Sequence, residues 1–454
     1  MQNRRDAIYM TSLQEWTNQR RRHIMTSLYR KFMDKSFAIG IKLFLLLFCL
    51  CCFNFAQADI PFRNHRFDSW TGLEMPKDAI VFVGNSITDM HNWGEAFGGD
   101  PRIVNRGNSG ALSCEVLQNA MSWLQYHPAQ VFVMIGTNDL GSDTSEYAIV
   151  KNISALVKLV RKESPQTQLY LQSILPARDQ KLRTLLTIQA TNKMIRELAE
   201  HTPNTTYIDL YPTFLPILDN KVYSLDQLHL TAYGYKLWCD IISPYVGLNS
   251  VYPDDADLLQ QDAGLWGSHG MRATYFSLLP IQDDDILFFG DEMVKNGEWA
   301  ELLHDTHVKN RGTGWGYGGS IALTSAMVDA TFSGNTERPK TVLLYTATDD
   351  VNGDMDLVEV ELKYENLLKQ IHNMDPDAQI VVLTLMPTNN NNPRIVEFNN
   401  WLQMLAETDS NLKVLDIYAL LALDDGSPNP EYIKENYLYA KGYRVVADAI
   451  ATML

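Results

Sequence analysis

The sequence predicts two tandem α/β domains, each built on a parallel sheet that lies between layers of helices. Two observations support this prediction. A set of sequence blocks occurs twice in the same order, and within each set short apolar runs alternate with longer segments of helical periodicity. This alternation is typical of parallel sheets, because each crossover between parallel strands needs a helix that covers the sheet. A chain of 454 residues has the length that two or three domains need.

The duplication is visible as five pairs of matching blocks. Residues 79–86 (AIVFVGNS) match 285–292 (DILFFGDE). The other four pairs are 103–110 with 308–315, 131–140 with 342–351, 169–176 with 380–387, and 228–242 with 436–450. The members of each pair are separated by 205 to 211 residues, so order and spacing are both preserved. Two units of this length indicate a tandem duplication, whereas a solenoid needs shorter periods and at least three units.

Each element of the first copy can be assigned in order. Short runs rich in β-branched and aromatic residues predict strands that are buried on both faces, at 79–84, 131–136, 169–174 and 206–210. Helical patterns lie at 144–162 and 182–200, and in the first of these Ile149, Ile153 and Val157 recur at helical spacing. We place the copies at about 59–249 and 270–454, joined by an acidic, glycine-containing linker at 250–269.

An unbroken run of eleven apolar residues, from Leu43 to Phe53, precedes the first copy. Lysines lie before this run, and the small residues Ala56 and Ala58 follow it. This order is typical of a secretory signal, whereas a membrane-spanning anchor needs about 20 apolar residues. We therefore predict that residues 1–58 are a signal peptide. This segment is longer than usual for a signal, and a start of translation at a later methionine would give an ordinary length. Cleavage after Ala58 would release a secreted or periplasmic protein without a membrane span.

The composition argues against several classes of protein. Basic residues number 38 and acidic residues 54, a net charge of −16, so we expect no nucleic-acid partner. Hydrophobic residues make up 46% and charged residues 20%, as in a folded globular protein. Once the signal is removed, only Cys114 and Cys239 remain, which is too few for a disulfide scaffold. We expect two buried thiols, with a pair between them as the alternative.

Polar residues follow the strand-like runs of the first copy. They are Gly84-Asn85-Ser86 after the first strand, the stretch from Asn105 to Gly110 after the second, Gly136-Thr137-Asn138-Asp139 after the third, and Asp226-Gln227-Leu228-His229 before the last helix. In open parallel sheets, ligands bind beyond the carboxyl ends of the strands. These four blocks are therefore expected to meet at one edge of the sheet.

The four blocks resemble those of the SGNH (GDSL-type) hydrolases, serine esterases on a flavodoxin-like fold, and the resemblance covers roughly residues 75–248. The usual Gly-Asp-Ser opening is Gly-Asn-Ser here. The resemblance implies that Ser86 is the nucleophile, His229 the general base and Asp226 the carboxylate that orients the imidazole. Such roles suit these residue types, because a serine hydroxyl needs a neighbouring base and a carboxylate fixes the histidine tautomer. Since Gly-x-Ser-x-Gly is absent, the α/β-hydrolase nucleophile elbow does not apply.

The resemblance also implies an oxyanion hole, the set of donors that holds the negative charge of the reacting carbonyl oxygen. Its members would be the N–H groups of Ser86 and Gly110 and the side-chain amide of Asn138. Gly107 is the alternative to Gly110. A glycine lets the backbone approach the substrate, and an asparagine amide adds a donor where charge develops. Neither a metal nor an organic cofactor is expected.

The second copy lacks these groups. By alignment of the blocks, the positions of Ser86, Gly110, Asn138 and His229 are occupied by Glu292, Trp315, Asp349 and Tyr437. Carboxylates at the nucleophile and oxyanion positions would repel an oxyanion. We therefore predict a degenerate, catalytically inactive SGNH-like domain that packs against the first copy. A binding role for its pocket, for instance with a glycan chain, is the alternative.

Together these features predict an exported serine esterase that acts through an acyl-enzyme. Within the family, the Gly-Asn-Ser-Ile-Thr opening at 84–88 resembles that of carbohydrate acetylesterases, so short-chain esters of a small molecule or glycan are the expected substrates. A lysophospholipase or acyl-thioesterase of the same family is the alternative. A glycan-binding protein without catalysis is the alternative from a different class.

Overall fold

A computed structural model of the chain describes residues 61–179, 181–253, 268–314, 319–390 and 392–454. The predicted signal peptide, most of the predicted linker and Trp315 lie outside the described residues. We call residues 61–253 the first copy and the described residues from 268 onward the second copy. Both belong to one compact unit, Pro61–Leu454.

The first copy contains a sheet of five parallel strands in the order β2-β1-β3-β4-β5. The strands are β1 (Ile80–Gly84), β2 (Ile103–Gly107), β3 (Gln130–Met134), β4 (Gln168–Gln172) and β5 (Thr205–Ile208). This is the strand order of flavodoxin-like sheets, in which ligands bind between β1 and β3, where the order of the strands across the sheet reverses. The predicted fold class is therefore confirmed for the first copy.

Helices cover both faces of this sheet. They are α1 (Pro61–Ser69), α2 (Ser86–Asp89), α3 (Trp93–Ala96), α4 (Ser113–Gln118), α5 (Met121–Leu124), α6 (Thr137–Gly141), α7 (Glu146–Glu163), α8 (Leu185–Glu200), α9 (Tyr211–Phe214) and α10 (Ala232–Val246), with a 3-10 turn at Leu215–Ile217. The helix α7 begins where the Ser145 side chain accepts a hydrogen bond from the Ala148 N–H. Its apolar residues at helical spacing are buried against the sheet, as the periodicity predicted.

The second copy repeats this architecture. Its sheet has the order β7-β6-β8-β9-β10, the same topology as the first. The strands are β6 (Ile286–Gly290), β7 (Val308–Gly312), β8 (Thr341–Tyr345), β9 (Gln379–Leu383) and β10 (Leu412–Leu415), and the antiparallel pair β11 (Ile433–Lys434) and β12 (Tyr437–Leu438) follows. The helices are α11 (Ser268–Phe276), α12 (Glu292–Asn296), α13 (Trp299–Leu302), α14 (Ile321–Ser333), α15 (Thr348–Asn352), α16 (Leu357–Met374), α17 (Asn392–Thr408), α18 (Ile417–Leu421) and α19 (Ala440–Ala451). Both halves of the predicted duplication therefore have one fold.

The hydrophobic core shows how the two copies pack. On β1, Val81 and Val83 belong to a cluster within the first copy, whereas Ile80 and Phe82 face the other side of the sheet. That second cluster continues without a break into the second copy, where it includes residues such as Phe288. The contact between the two copies is therefore a continuous hydrophobic core, as in the interface of an obligate dimer.

The end of the second strand differs from the sequence prediction. Asn105 and Arg106, expected after the second strand, lie within β2. The guanidinium of Arg106 is buried, and its Nη2 lies 2.7 Å from Oε2 of Glu301 in the second copy. A buried arginine interrupts the apolar pattern of the strand, so the strand end could not be read from hydrophobicity.

Two further features concern the thiols and the membrane. Cys114 and Cys239 are both free, the first half-buried and the second fully buried. Within the described ranges, no helix has both the length and the apolar character that crossing a bilayer requires.

Candidate active site

The nucleophile candidate lies at the tight junction between β1 and α2. Asn85 precedes the helix, and its side chain accepts a hydrogen bond from the Ile87 N–H at 3.1 Å. Asparagine therefore caps this helix as aspartate can, which accounts for the departure from Gly-Asp-Ser. At Gly84, a Cβ atom would lie 2.6 Å from the Met134 carbonyl oxygen and 2.2 Å from Oγ1 of Thr88. Only glycine allows the chain to turn this closely against β3.

Ser86, His229 and Asp226 form a continuous hydrogen-bonded chain. The Oγ atom of Ser86 lies 2.8 Å from Nε2 of His229, and Nδ1 of His229 lies 2.7 Å from Oδ2 of Asp226. The other carboxylate oxygen of Asp226 accepts the backbone N–H groups of His229 and Leu228, at 2.7 and 3.0 Å. These backbone bonds hold the carboxylate in place beside the imidazole.

The electrostatics of this chain favour a charged carboxylate. Burial alone would raise the pKa of Asp226, but the hydrogen bond and charge of His229 and the two backbone N–H groups outweigh burial and lower that pKa. An ionised Asp226 accepts the proton on Nδ1. Nε2 is then the acceptor that faces the Ser86 hydroxyl, the tautomer needed for proton abstraction from serine.

The oxyanion candidates lie on the loops that follow β2 and β3, at the edge of the sheet where Ser86 follows β1. Gly110 has a φ of 81°, in the left-handed region that favours glycine. The Asn138 amide donates one hydrogen to the Ala111 carbonyl oxygen at 3.1 Å, which leaves its second hydrogen for a ligand. The N–H of Gly107, the alternative donor, is already bonded to Oδ1 of Asn105 at 2.8 Å. The geometry therefore favours Gly110 over Gly107.

Two buried carboxylates brace these loops. The hydroxyl of Ser109, beside Gly110, donates to Oδ2 of Asp89 at 2.5 Å. Asp139, beside Asn138, accepts the N–H and the hydroxyl of Ser113, the latter at 2.6 Å. Burial would raise the pKa of Asp89, but the charges of nearby basic groups, Arg66 first among them, lower it. Neither carboxylate was assigned a role from the sequence.

Tyr235 links the two halves of the triad and was likewise not predicted. It lies on α10, the helix that follows His229, and its hydroxyl donates to the Ile87 carbonyl oxygen of α2 at 2.8 Å. Its counterpart in the second copy, Tyr443, donates to Met293 at 3.3 Å. One sequence signal for this residue was available, because the Gly-Tyr pair is present in both copies, at 234–235 and 442–443. A sequence pattern does not indicate which carbonyl oxygen accepts the hydrogen bond of a buried hydroxyl.

A buried arginine also supports the oxyanion region. Nε of Arg183 donates to the Thr137 carbonyl oxygen at 2.7 Å, and its Nη1 contacts Asp179 at 2.6 Å. Thr137 directly precedes Asn138. The side chain of Arg183 therefore anchors the turn that presents the asparagine amide, a role for which the sequence holds no pattern.

The equivalent region of the second copy has different chemistry. Glu292 is buried, and its Oε1 accepts the Asn296 amide at 2.6 Å and lies 3.5 Å from Nζ of Lys295. Burial raises the pKa of Glu292 to about 7. The ring of Tyr437 stacks on that of His65, with centroids 4.9 Å apart. These side chains are engaged in packing contacts and offer no serine–histidine pair.

Two cavities lie near the interface and the histidine loop, and neither contains the triad. A cavity of about 420 Å³ lies between the copies, and neither Ser86 nor His229 is among its lining residues. A much smaller cavity of about 10 Å³ lies beside the loop that carries His229 and is lined mainly by apolar side chains. Among the residues that the structure describes, no group of three histidine, cysteine or acidic side chains is arranged to hold a metal ion.

Several solved structures are similar to part of this chain. A candidate platelet activating factor from Streptococcus pneumonia is 27% identical, covering 46% of this chain and 100% of that chain, with a TM-score of 0.37. A GDSL-like lipase from Bacteroides thetaiotaomicron is 24% identical, covering 37% of this chain and 88% of its own, with a TM-score of 0.33. A carbohydrate esterase family 3 protein from Talaromyces cellulolyticus is 18% identical over 37% of this chain and 96% of its own, with a TM-score of 0.32. No curated protein matches the chain.

Family membership follows from the sequence match. The GDSL-like Lipase/Acylhydrolase family matches at residues 82–237 and again at 289–445. Together the two segments cover more than half of the chain, and each runs from the first strand of its copy into the last helix. This confirms the resemblance inferred from the four blocks and the duplication inferred from their repetition. The chain belongs to the GDSL-like lipase/acylhydrolase family and contains the family's domain twice.

Proposed function

We propose that the first copy is a serine esterase that hydrolyses short-chain esters, acetyl esters of carbohydrates in particular. Membership of the family supports ester hydrolysis as the reaction. The observation that carries the finer proposal is the chain of contacts from Ser86 through His229 to Asp226, at 2.8 and 2.7 Å. A hydroxyl, an imidazole and a carboxylate in this order are the groups that acyl transfer to serine requires.

The proposed mechanism has two steps. Ser86 Oγ attacks the ester carbonyl carbon while Nε2 of His229 takes the hydroxyl proton. As the bond to the leaving alcohol breaks, His229 gives that proton to the alcohol oxygen and an acyl-enzyme remains. Water then attacks the acyl carbon and gives a proton to His229, which passes it to the departing Ser86 oxygen. In both steps, the donors of Ser86, Gly110 and Asn138 would hold the negative charge on the carbonyl oxygen.

The choice of short-chain esters is supported by the Gly-Asn-Ser-Ile-Thr opening at 84–88, which resembles that of carbohydrate acetylesterases. The cavity of about 420 Å³ between the copies does not include the triad. We therefore favour short-chain esters over lysophospholipids and long-chain thioesters, which are the runner-up substrates.

A substrate panel tests this proposal. Purified protein should hydrolyse acetylated sugars and p-nitrophenyl acetate, with activity falling as the acyl chain lengthens, and an organophosphonate should label Ser86. Preference for lysolipids or acyl-thioesters would instead support the runner-up activity. If the protein hydrolyses no ester and takes up no label, the glycan-binding alternative replaces the esterase.

We also propose that the protein is exported and that the second copy is catalytically inactive. Export is supported by the apolar run and small residues before position 59. The intact mass of the protein recovered outside the cytoplasm should correspond to a chain that begins at Asp59. For the second copy, the engagement of Glu292 and Tyr437 in packing supports inactivity. A digest of labelled protein should therefore carry the organophosphonate in the first copy only.

A further inference from the structure

We propose that the second copy forms part of the scaffold of the active site in the first copy. Its leading helix, α11 (Ser268–Phe276), contacts the helix that begins at Ser86 and also the helix that follows His229. The residues responsible are Arg272, Thr274 and Tyr275, which we regard as positioning residues. A test of this inference by kcat or by organophosphonate labelling rests on the proposed esterase function, whereas a test by amide hydrogen exchange does not.

The first contact holds the end of α2. Nη1 of Arg272 donates to the Met90 carbonyl oxygen at 2.9 Å, and the hydroxyl of Tyr275 donates to the same oxygen. Met90 is the residue that caps the carboxyl end of α2, four positions after Ser86. The same arginine is fixed within its own copy, because its Nε donates to the Gly312 carbonyl oxygen at 2.9 Å. Arg272 therefore connects the end of β7 directly to the serine helix.

The second contact holds the start of α10. The N–H of Ala232, the first residue of that helix, donates to Oγ1 of Thr274 at 2.9 Å. Thr274 donates in turn to the Met271 carbonyl oxygen at 2.6 Å, so its hydroxyl both donates and accepts a hydrogen bond. Thr231 is the residue just before α10, where a side chain can cap the helix. Its hydroxyl instead donates to the Val222 carbonyl oxygen and does not cap the helix. The cap of the helix that follows His229 is therefore supplied by the other copy.

The contacts are reciprocal, which shows that they belong to a two-fold arrangement. At the equivalent places, Nη1 of Arg66 donates to the Asn296 carbonyl oxygen at 2.6 Å, and Oδ2 of Asp68 accepts the Ala440 N–H at 3.0 Å. Two further ion pairs are mirrored across the interface, Arg106 with Glu301 and Arg311 with Glu95, at 2.7 and 2.8 Å. Self-complementary contacts of this kind are those of a symmetric dimer.

One pair of equivalent positions at the interface carries opposite charges in the two copies. Asp89 and Lys295 are equivalent, because each lies three residues beyond the end of the first pair of matching blocks, and their Oδ2 and Nζ atoms lie 4.0 Å apart. Two identical copies would bring like charges together at this point, whereas the fused chain pairs opposite charges. Asp89 in turn accepts the hydroxyl of Ser109, beside Gly110. The second copy therefore reaches the serine helix, the histidine helix and the oxyanion loop.

The test uses full-length variants with a matched control. Thr274→Val removes the cap of α10 with little change in shape, Thr274→Ser retains a hydroxyl, and Asp68→Ala removes the equivalent cap in the second copy. We expect Thr274→Val to lower kcat and the organophosphonate labelling rate by about 10- to 100-fold with little change in KM, because small displacements of catalytic groups are costly. Thr274→Ser should restore both. Asp68→Ala should lose similar stability but retain kcat.

Hydrogen exchange separates this inference from the proposed function. Thr274→Val should accelerate amide exchange at 229–235, and Asp68→Ala should do so at 437–443 instead. If wild-type protein neither hydrolyses esters nor takes up label, the proposed function fails, and exchange at 229–235 still decides whether the second copy holds this region. Unchanged exchange there, wild-type kcat in Thr274→Val, or an equal loss of kcat in Asp68→Ala would overturn the inference.

Discussion

The Oγ atom of Ser86 lies 2.8 Å from Nε2 of His229, although 143 residues of chain separate them. The sheet brings them together, because Ser86 follows β1 directly and His229 precedes α10 at the same edge. We expect Ser86→Ala to lower kcat for acetyl ester hydrolysis by at least about 10³-fold, since the substituted chain has no nucleophile. Initial rates with p-nitrophenyl acetate measure this. Glu292→Gln, the change at the equivalent position of the second copy, is the control and should retain wild-type kcat.

The carboxylate of Asp226 provides a second prediction. Asp226→Asn keeps an oxygen for the backbone N–H groups of His229 and Leu228 but presents an amide donor to Nδ1. The imidazole would then favour the tautomer with its proton on Nε2, which cannot accept the Ser86 proton. We expect kcat to fall by about 10³- to 10⁴-fold, with a folded protein by circular dichroism. A variant that retained more than a tenth of wild-type kcat would show that this carboxylate does not orient the base.

The oxyanion hole provides a third prediction. Asn138→Ala removes the proposed side-chain donor of the oxyanion hole and also the bond to the Ala111 carbonyl oxygen. If the amide holds the developing charge, kcat should fall by about 10²- to 10³-fold while KM changes little. Because the loss of the Ala111 bond could alter the loop, Asn138→Asp is the companion variant. It keeps the size of the side chain but places negative charge near the oxyanion, so it should be at least as damaging as alanine.

Strands and helices with clear periodicity could be predicted from the sequence alone. The runs at 131–136 and 169–174 became β3 (Gln130–Met134) and β4 (Gln168–Gln172), with errors only at the ends. The last residues of each run, such as Ile135 and Ile174, are buried beyond the strand, so hydrophobicity continues where sheet pairing stops. Because the polar blocks follow the strand-like runs, the sequence also predicted that Ser86 and His229 lie at the same edge of the sheet.

The supports of the site could not be predicted in the same way. Thr274 reads as an ordinary helix residue, and only the packing of one copy on the other brings its hydroxyl to the Ala232 N–H. Arg183 and Tyr235 act through backbone carbonyl groups, which carry no sequence signature. Local patterns therefore identified the candidate reacting groups, whereas the groups that hold them depend on tertiary contacts between distant segments.

The buried carboxyl group of Glu292 gives a prediction about stability and pH. Burial raises its pKa from 4.5 to about 7 in the folded protein, with Lys295 and Asn296 opposing that rise. A raised pKa means that the folded state binds the proton more tightly than the unfolded state, so this contribution to stability is complete below about pH 4.5 and is lost as the pH rises through about 7. Glutamine cannot ionise and remains neutral throughout.

Glu292→Gln should therefore stabilise the protein in a pH-dependent way. We expect its free energy of unfolding to be close to that of wild type near pH 4.5 and to exceed it by roughly 2–4 kcal/mol above pH 8. Urea unfolding at a series of pH values measures this difference. Glu407→Gln, which neutralises an exposed carboxylate on α17, is the control for loss of one negative charge. A difference that stayed constant with pH, or that matched the control, would mean that Glu292 ionises as readily in the folded chain as in the unfolded one.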